Sequence, residues 1–148
     1  MTAAPHPAPA ARGAALIEAL ASDTPTDATM RALWAAARAW LATGGVMPLE
    51  RHAQLPTTPG ALRNAARNLW IRRAAALAAP GEAPFTQAQH LGDELVTFIV
   101  HGAWDEWRHA ATPPEVASEL RKALFYVAKY NAGDILSVRH IARVIANK

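Results

Sequence analysis

The chain has 148 residues, a formal net charge of only +3 and no cysteine. That length suits one continuous hydrophobic core, and the absence of cysteine excludes disulfides, thiolate nucleophiles and cysteine-based zinc sites. Apolar residues make up 51% of the chain, much of it alanine, which favours helix and buries little area. β-branched residues never alternate with polar ones over a strand's length. The expected fold class is therefore all-α, a compact bundle of about six to seven helices.

Met1 to Ala11 is rich in proline and alanine and has neither the basic head nor the unbroken apolar run of a signal peptide. Residues 1–12 are expected to form a disordered tail, followed by a single helical domain over 13–148. Gly13 to Ala21 reads as a short helix with Leu16, Ile17 and Leu20 inward. Asp27 is the expected N-cap of the next helix, whose residues Met30, Leu33, Trp34, Ala37 and Leu41 make a helical stripe read as core. Gly44-Gly45 ends it, and Pro48 opens a short helix over 49–55.

Thr58 and Pro59 start a long helix to about Ala79, with Leu62, Ala66, Leu69, Trp70 and Leu77 expected inward. After the loop at Pro80 to Pro84, residues 86–110 read as one long central helix buried on several sides. Its apolar residues are Leu91, Leu95, Val96, Phe98, Ile99, Val100 and Trp107. Thr112 to Glu115 has the spacing of a capping box. It would start a helix with Val116, Leu120, Leu124 and Val127 inward, stopped by Asn131-Ala132-Gly133. The last helix runs from about Ile135 to Ala146 and buries Val138, Ile141, Ala142 and Ile145.

Charge is unevenly distributed. Residues 28–81 hold seven arginines against one acid, residues 82–119 one arginine against seven acids, and residues 120–148 six bases against Asp134. Two basic blocks flanking an acidic one suit a polyanionic partner or charge-matched packing between copies.

Catalytic chemistry finds little support. His90, Glu94, Thr97, His101, Asp105 and Arg108 share a stripe of the long helix, but a dinuclear carboxylate site needs paired Glu-x-x-His motifs on facing helices. The one such motif, Glu106 to His109, points away from that stripe, which reads as solvated or subunit-facing. Ser22, Ser118 and Ser137 sit in no nucleophile elbow, and Thr43-Gly44-Gly45 lacks the strand and lysine of a phosphate loop. No enzyme, metal or cofactor is expected, and a reducing cytoplasm is the default location.

The arginines suggest phosphate contact instead. Arg63, Asn64, Arg67 and Asn68 are expected on one face opposite Leu62 and Leu69, with Arg72 and Arg73 further along. A second basic face combines Arg139, His140 and Arg143 with Lys122 and Lys129. Of the five tryptophans, Trp34 and Trp70 are read as packing and Trp40 as the ring that meets a partner.

Two resemblances attach to these segments. Leu33 to Arg73 looks like helix-turn-helix plasmid regulators: helix, Thr43-Gly44-Gly45, a Pro48-led short helix, Thr57-Thr58, then a basic helix. It departs from them in a connector with two prolines and no glycine. The whole chain, through Thr58 to Arg73 and the Arg121-Lys122 to Lys129 helix, resembles the small all-helical subunits of CRISPR-type ribonucleoprotein effectors. The latter resemblance implies basic helix faces along a nucleic-acid groove. The leading expectation is thus a non-catalytic protein binding DNA or RNA backbone, with other protein subunits or self-association as further partners and no membrane. The alternatives are an assembly subunit without nucleic acid, a helix-turn-helix regulator and, third, a metal-dependent enzyme using the His90 to Asp105 stripe.

Overall fold

A computed structural model describes residues 9–147, with side chains from residue 13 onward except that of Pro59. The expected tail therefore lies, up to residue 8, outside the described residues, and the first helix begins four residues before Gly13, at Pro9. The fold is all-α, with no strand among the described residues. The chain divides into two compact units, Met1–Ala66 and Arg67–Lys148.

The first unit contains α1 (Pro9–Ser22), α2 (Asp27–Ala42), α3 (Leu49–His52) and the opening turns of α4 (Pro59–Ala78). Thr26, not Asp27, caps α2: its hydroxyl accepts from the Thr29 N–H at 3.2 Å, which leaves Asp27 in the first turn facing the positive end of the helix dipole. The core of this unit is small, consisting of Leu16, Ala36 and Ala53 with Ala32 and Leu55 against them. α1 passes so close to the turn after α3 that a Cβ on Gly13 would sit 2.3 Å from the Gln54 carbonyl oxygen. Only glycine fits there.

The second unit holds the rest of α4, then α5 (Pro84–Val96), a π turn (Thr97–His101), α6 (Trp104–Trp107), α7 (Glu119–Tyr130) and α8 (Val138–Ala146). The single helix expected over 86–110 is thus interrupted. At Gly102 the backbone turns back over Phe98, and a Cβ would lie 2.8 Å from the Phe98 oxygen. Leu91, Leu95 and Phe98, at the i, i+4, i+7 spacing of one helix face, point inward while Val96 and Val100 are exposed. Burial on several sides is therefore corrected to burial on one.

α7 starts later than the capping-box spacing suggests. Pro113 and Pro114 hold the preceding chain away from helical geometry. Ser118 is the cap, accepting from the Arg121 N–H at 3.2 Å, and Val116, expected in the core, is 97% exposed. Ser137 does the same for α8, accepting from His140 N–H, so Ile135 is left outside the helix and exposed. The core gathers Ile71, Leu91, Leu95, Phe125, Leu124 and Ile141. Aromatic rings pack around Phe125, including Trp104 at 6.1 Å and Tyr126 at 5.2 Å between centroids.

Candidate interaction surfaces

α4 does not present the face expected of it. Leu62, Leu69 and Leu77 share one face, but the side that packs in the second unit is the opposite, alanine side, with Ile71, Ala74 and Ala75 fully buried. Arg67, one turn before Ile71, lies on that inward side and is half-buried. Its guanidinium donates to Asn131 Oδ1 at 3.0 Å and to Asn68 Oδ1 at 3.3 Å. It also sits 3.3 Å from His140 Nε2. The reading that Arg67 and Asn68 stand opposite the core is therefore corrected, while Arg63 and Asn64, in the first unit, are exposed.

Other basic residues have structural duties too. Arg72 donates through Nε to the Val144 oxygen at 3.2 Å and through Nη2 to the Asn147 oxygen at 2.6 Å, satisfying carbonyls that the end of α8 leaves open. Arg73 lies over the Trp70 ring at 5.1 Å, and Trp70 stacks on Tyr126 at 4.5 Å, which bears out its reading as packing. Lys122 pairs with Glu119 at 3.1 Å. Lys129 donates to the Ala110 carbonyl and lies 5.2 Å from the Phe125 centroid. Arg139 and Arg143, a turn apart on α8, remain exposed.

His140 is placed to respond to this charge. Desolvation, with Arg67 and Arg143 adding to it, lowers its pKa below the usual 6.5. The neutral ring then offers Nε2 as an acceptor to Arg67. Tyr130 is raised above 10.0 by burial and by Tyr126.

The polar stripe of the long helix does not assemble into a site. Gly102 separates His90, Glu94 and His101 from Asp105, which pairs with Arg108 at 3.7 Å. Among the described residues no three His, Asp or Glu side chains converge. An open groove of about 370 Å³ is lined by Gln89, His90, Asp93 and Val138. No helix among the described residues is long and apolar enough to cross a membrane.

The largest departure from expectation is α2. The helix forms as the periodicity predicts, but it packs through its alanines, with Ala36 buried and Ala32 against the small core. The stripe read as core faces outward: Met30 is 59%, Trp34 72% and Leu41 62% exposed. These three and the half-buried Ala37 fall within an arc of about 60° of the helix. Leu33 and Trp40 border it on one side, and Arg31 and Arg38 on the other. Trp40, expected to meet a partner, instead covers Gly45: a Cβ there would lie 3.1 Å from its ring. A sequence signal for the reversal exists. α2 has two apolar faces, one of alanine and one of large side chains, and only three charged residues, Asp27, Arg31 and Arg38.

No protein-family model matches the chain, and no curated protein or solved structure matches it either.

Proposed function

We propose that this chain is a non-catalytic interaction subunit that docks on a protein partner through the outer face of α2. The observation that carries this reading is the reversed burial of that helix, alanines in and Met30, Trp34 and Leu41 out. Large side chains clustered in water lose the hydrophobic gain that packing gives them, and such patches on soluble proteins mark contact surfaces. Tryptophan at the centre of a patch is the residue type that most often anchors an interface. The non-catalytic part is supported by how the hydroxyls are used. Ser118 and Ser137 cap helices, and Ser22 donates to the Glu18 carbonyl at 2.5 Å.

The test places a photo-crosslinking amino acid at Trp34 and, as a control, at the exposed Glu94. Discrete adducts from position 34 that vanish when Leu41→Glu is added support the reading. Adducts no different from those of position 94 contradict it.

A second reading, nucleic-acid backbone binding, is favoured by α8. This helix contains no acidic residue, and Arg139 and Arg143 are exposed on it. It also fits the resemblance to small helical subunits of ribonucleoprotein effectors. Gel shifts with duplex DNA, single-stranded DNA and RNA over a salt series test it. Arg139→Ala with Arg143→Ala should lower the slope of log affinity against log salt by up to two contacts' worth, at about 0.7–0.9 each. Binding that is absent, or indifferent to both changes, sinks this reading.

A further inference from the structure

We propose that the basic face of α8 is gated by a proton. Neutral, His140 accepts from Arg67 and is turned away from that face; protonated, it joins Arg139 and Arg143 as a third cation for nucleic-acid phosphates. This rests on the second reading above, backbone binding through α8, and adds its regulation.

Three residues at helical spacing make the surface. Arg139, His140 and Arg143 fall within an arc of about 100° of α8, while Ile141 and Val144 are buried in the core. Both arginines are exposed, and His140 is half-buried at their edge. No acid interrupts the helix. A phosphate held by the two guanidinium groups would stand beside the imidazole.

His140 is engaged elsewhere, because its Nε2 is turned to α4, 3.3 Å from Arg67 Nη2. Arg67 has other anchors: it donates to Asn131 Oδ1 at 3.0 Å and to Asn68 Oδ1 at 3.3 Å. Asn131 in turn donates to the Asp134 carbonyl at 2.8 Å in the α7–α8 connection. These bonds do not depend on pH, whereas the bond to His140 exists in one protonation state only. A neutral ring with its proton on Nδ1 accepts at Nε2. A protonated ring has donors on both nitrogens and faces a guanidinium that has nothing but donors. Protonation therefore breaks this contact and frees the Nε2–H for an oxygen on the surface side.

The surroundings disfavour the charged ring until an anion arrives. Arg67 from α4 and Arg143 from its own helix face it, and with desolvation, the larger cause, they hold its pKa below the usual 6.5. α7 brings only the neutral Asn131 to the cluster, and Asp134 before α8 is exposed. His90 and Asp93 of α5 lie by Val138, about 160° around α8 from His140. Placement in the first turn of α8, where the His140 N–H bonds the Ser137 cap, adds the positive end of the helix dipole. A bound phosphate opposes all these charges and raises the pKa. Binding then takes up a proton, so affinity rises as pH falls, and the gain is absent well above 6.5, where the ring is neutral in both states.

The experiment measures binding of the full chain to single-stranded DNA, duplex DNA and RNA at about pH 7.5 and about pH 5.5. It compares the parent with His140→Gln, whose amide oxygen still accepts from Arg67 but takes no proton. Between the two pH values the parent should gain about two- to fivefold more affinity than the variant, the contribution of one exposed charge pair. The slope of its log affinity against log salt should steepen at the lower pH by about 0.7–0.9, one phosphate contact. Charge changes elsewhere are common to both proteins and cancel. Arg67→Met, which removes the charge and keeps the stem, should move the titration of the His140 ring resonances to higher pH.

An equal gain in the parent and in His140→Gln overturns the inference and leaves backbone binding standing. So does a His140 titration that Arg67→Met does not raise, since that arginine would then not control the ring. Binding that is absent at both pH values, or indifferent to loss of Arg139 and Arg143, sinks the backbone reading itself and the inference with it.

Discussion

The two compact units use the same alanine-rich composition in opposite ways. In the second, Phe125, Leu91, Leu95 and Ile141 are fully enclosed, and alanines such as Ala74, Ala123 and Ala128 serve as spacers that let helices approach. In the first, alanines are most of what is buried and the large side chains of α2 remain in water. Burying an alanine removes little area, while a leucine or phenylalanine contributes several times more. The second unit is thus built to hold itself together, and the first to present a surface. Arg67 and Arg72 are tied into the packing of the second unit, where Arg139 and Arg143 stay exposed, as do Arg31, Arg38 and Arg63 of the first.

The largest effect that could break this contrast is on stability. Phe125→Ala should cost about 3–5 kcal/mol, the range for emptying a buried aromatic site. Trp34→Ala, measured on dilute monomer, should stay within about 0.5 kcal/mol of the parent. Urea unfolding checks both. A Trp34→Ala loss comparable to that of Phe125→Ala would mean that the α2 face is covered within its own chain.

Next in size is Arg67→Ala. Asn131 Oδ1 and Asn68 Oδ1 would each lose a charged donor, with an expected loss of about 1–3 kcal/mol. Arg139→Ala, at an exposed site, should stay within about 0.5 kcal/mol. Equal small effects would return Arg67 to the solvated face that its sequence position suggests.

The smallest effect is that of pH. The folded pKa of His140 lies below the unfolded value near 6.5, so below that pH the unfolded chain takes up the proton first. Stability from this group is complete above about 6.5 and declines as pH falls toward the lowered folded value. His140→Gln, which can still offer an acceptor to Arg67, should flatten the dependence between pH 7.5 and 5.5 in thermal melts. A decline as steep in the variant as in the parent would assign the effect elsewhere.

What could be read in the sequence follows the strength of local signals. α8 was legible because Ile141, Ala142 and Ile145 recur at helical spacing against Arg139 and Arg143, and the structure buries or half-buries all three apolar residues. The end of α2 at Gly44-Gly45 was legible because both glycines take positive φ, 73° and 71°. The orientation of α2 was not. Periodicity gives the phase of an apolar stripe but does not tell whether anything covers it. α4 was harder still, because alanine carries little phase information, so the inward position of Arg67 depends on Asn131 and His140, more than 60 residues away. No residue spacing announces the π turn or the close return of the chain at Gly102 that follows it. Of the candidate site residues, Arg63, Asn64, Arg139 and Arg143 are exposed where the sequence puts them, while Arg67 and Arg72 are held by partners distant in sequence.

The most direct test of the central claim is thiol reactivity in a chain that has no cysteine of its own. Leu41→Cys reports on the outer face of α2 and Ala74→Cys on the core of the second unit, where Ala74 is fully buried. In dilute solution the thiol at 41 should react with a maleimide reagent at close to the rate of a free thiol, and the one at 74 orders of magnitude more slowly. A thiol at 41 that is shielded even at the lowest concentration would contradict the claim, because the α2 face would then be part of the chain's own interior.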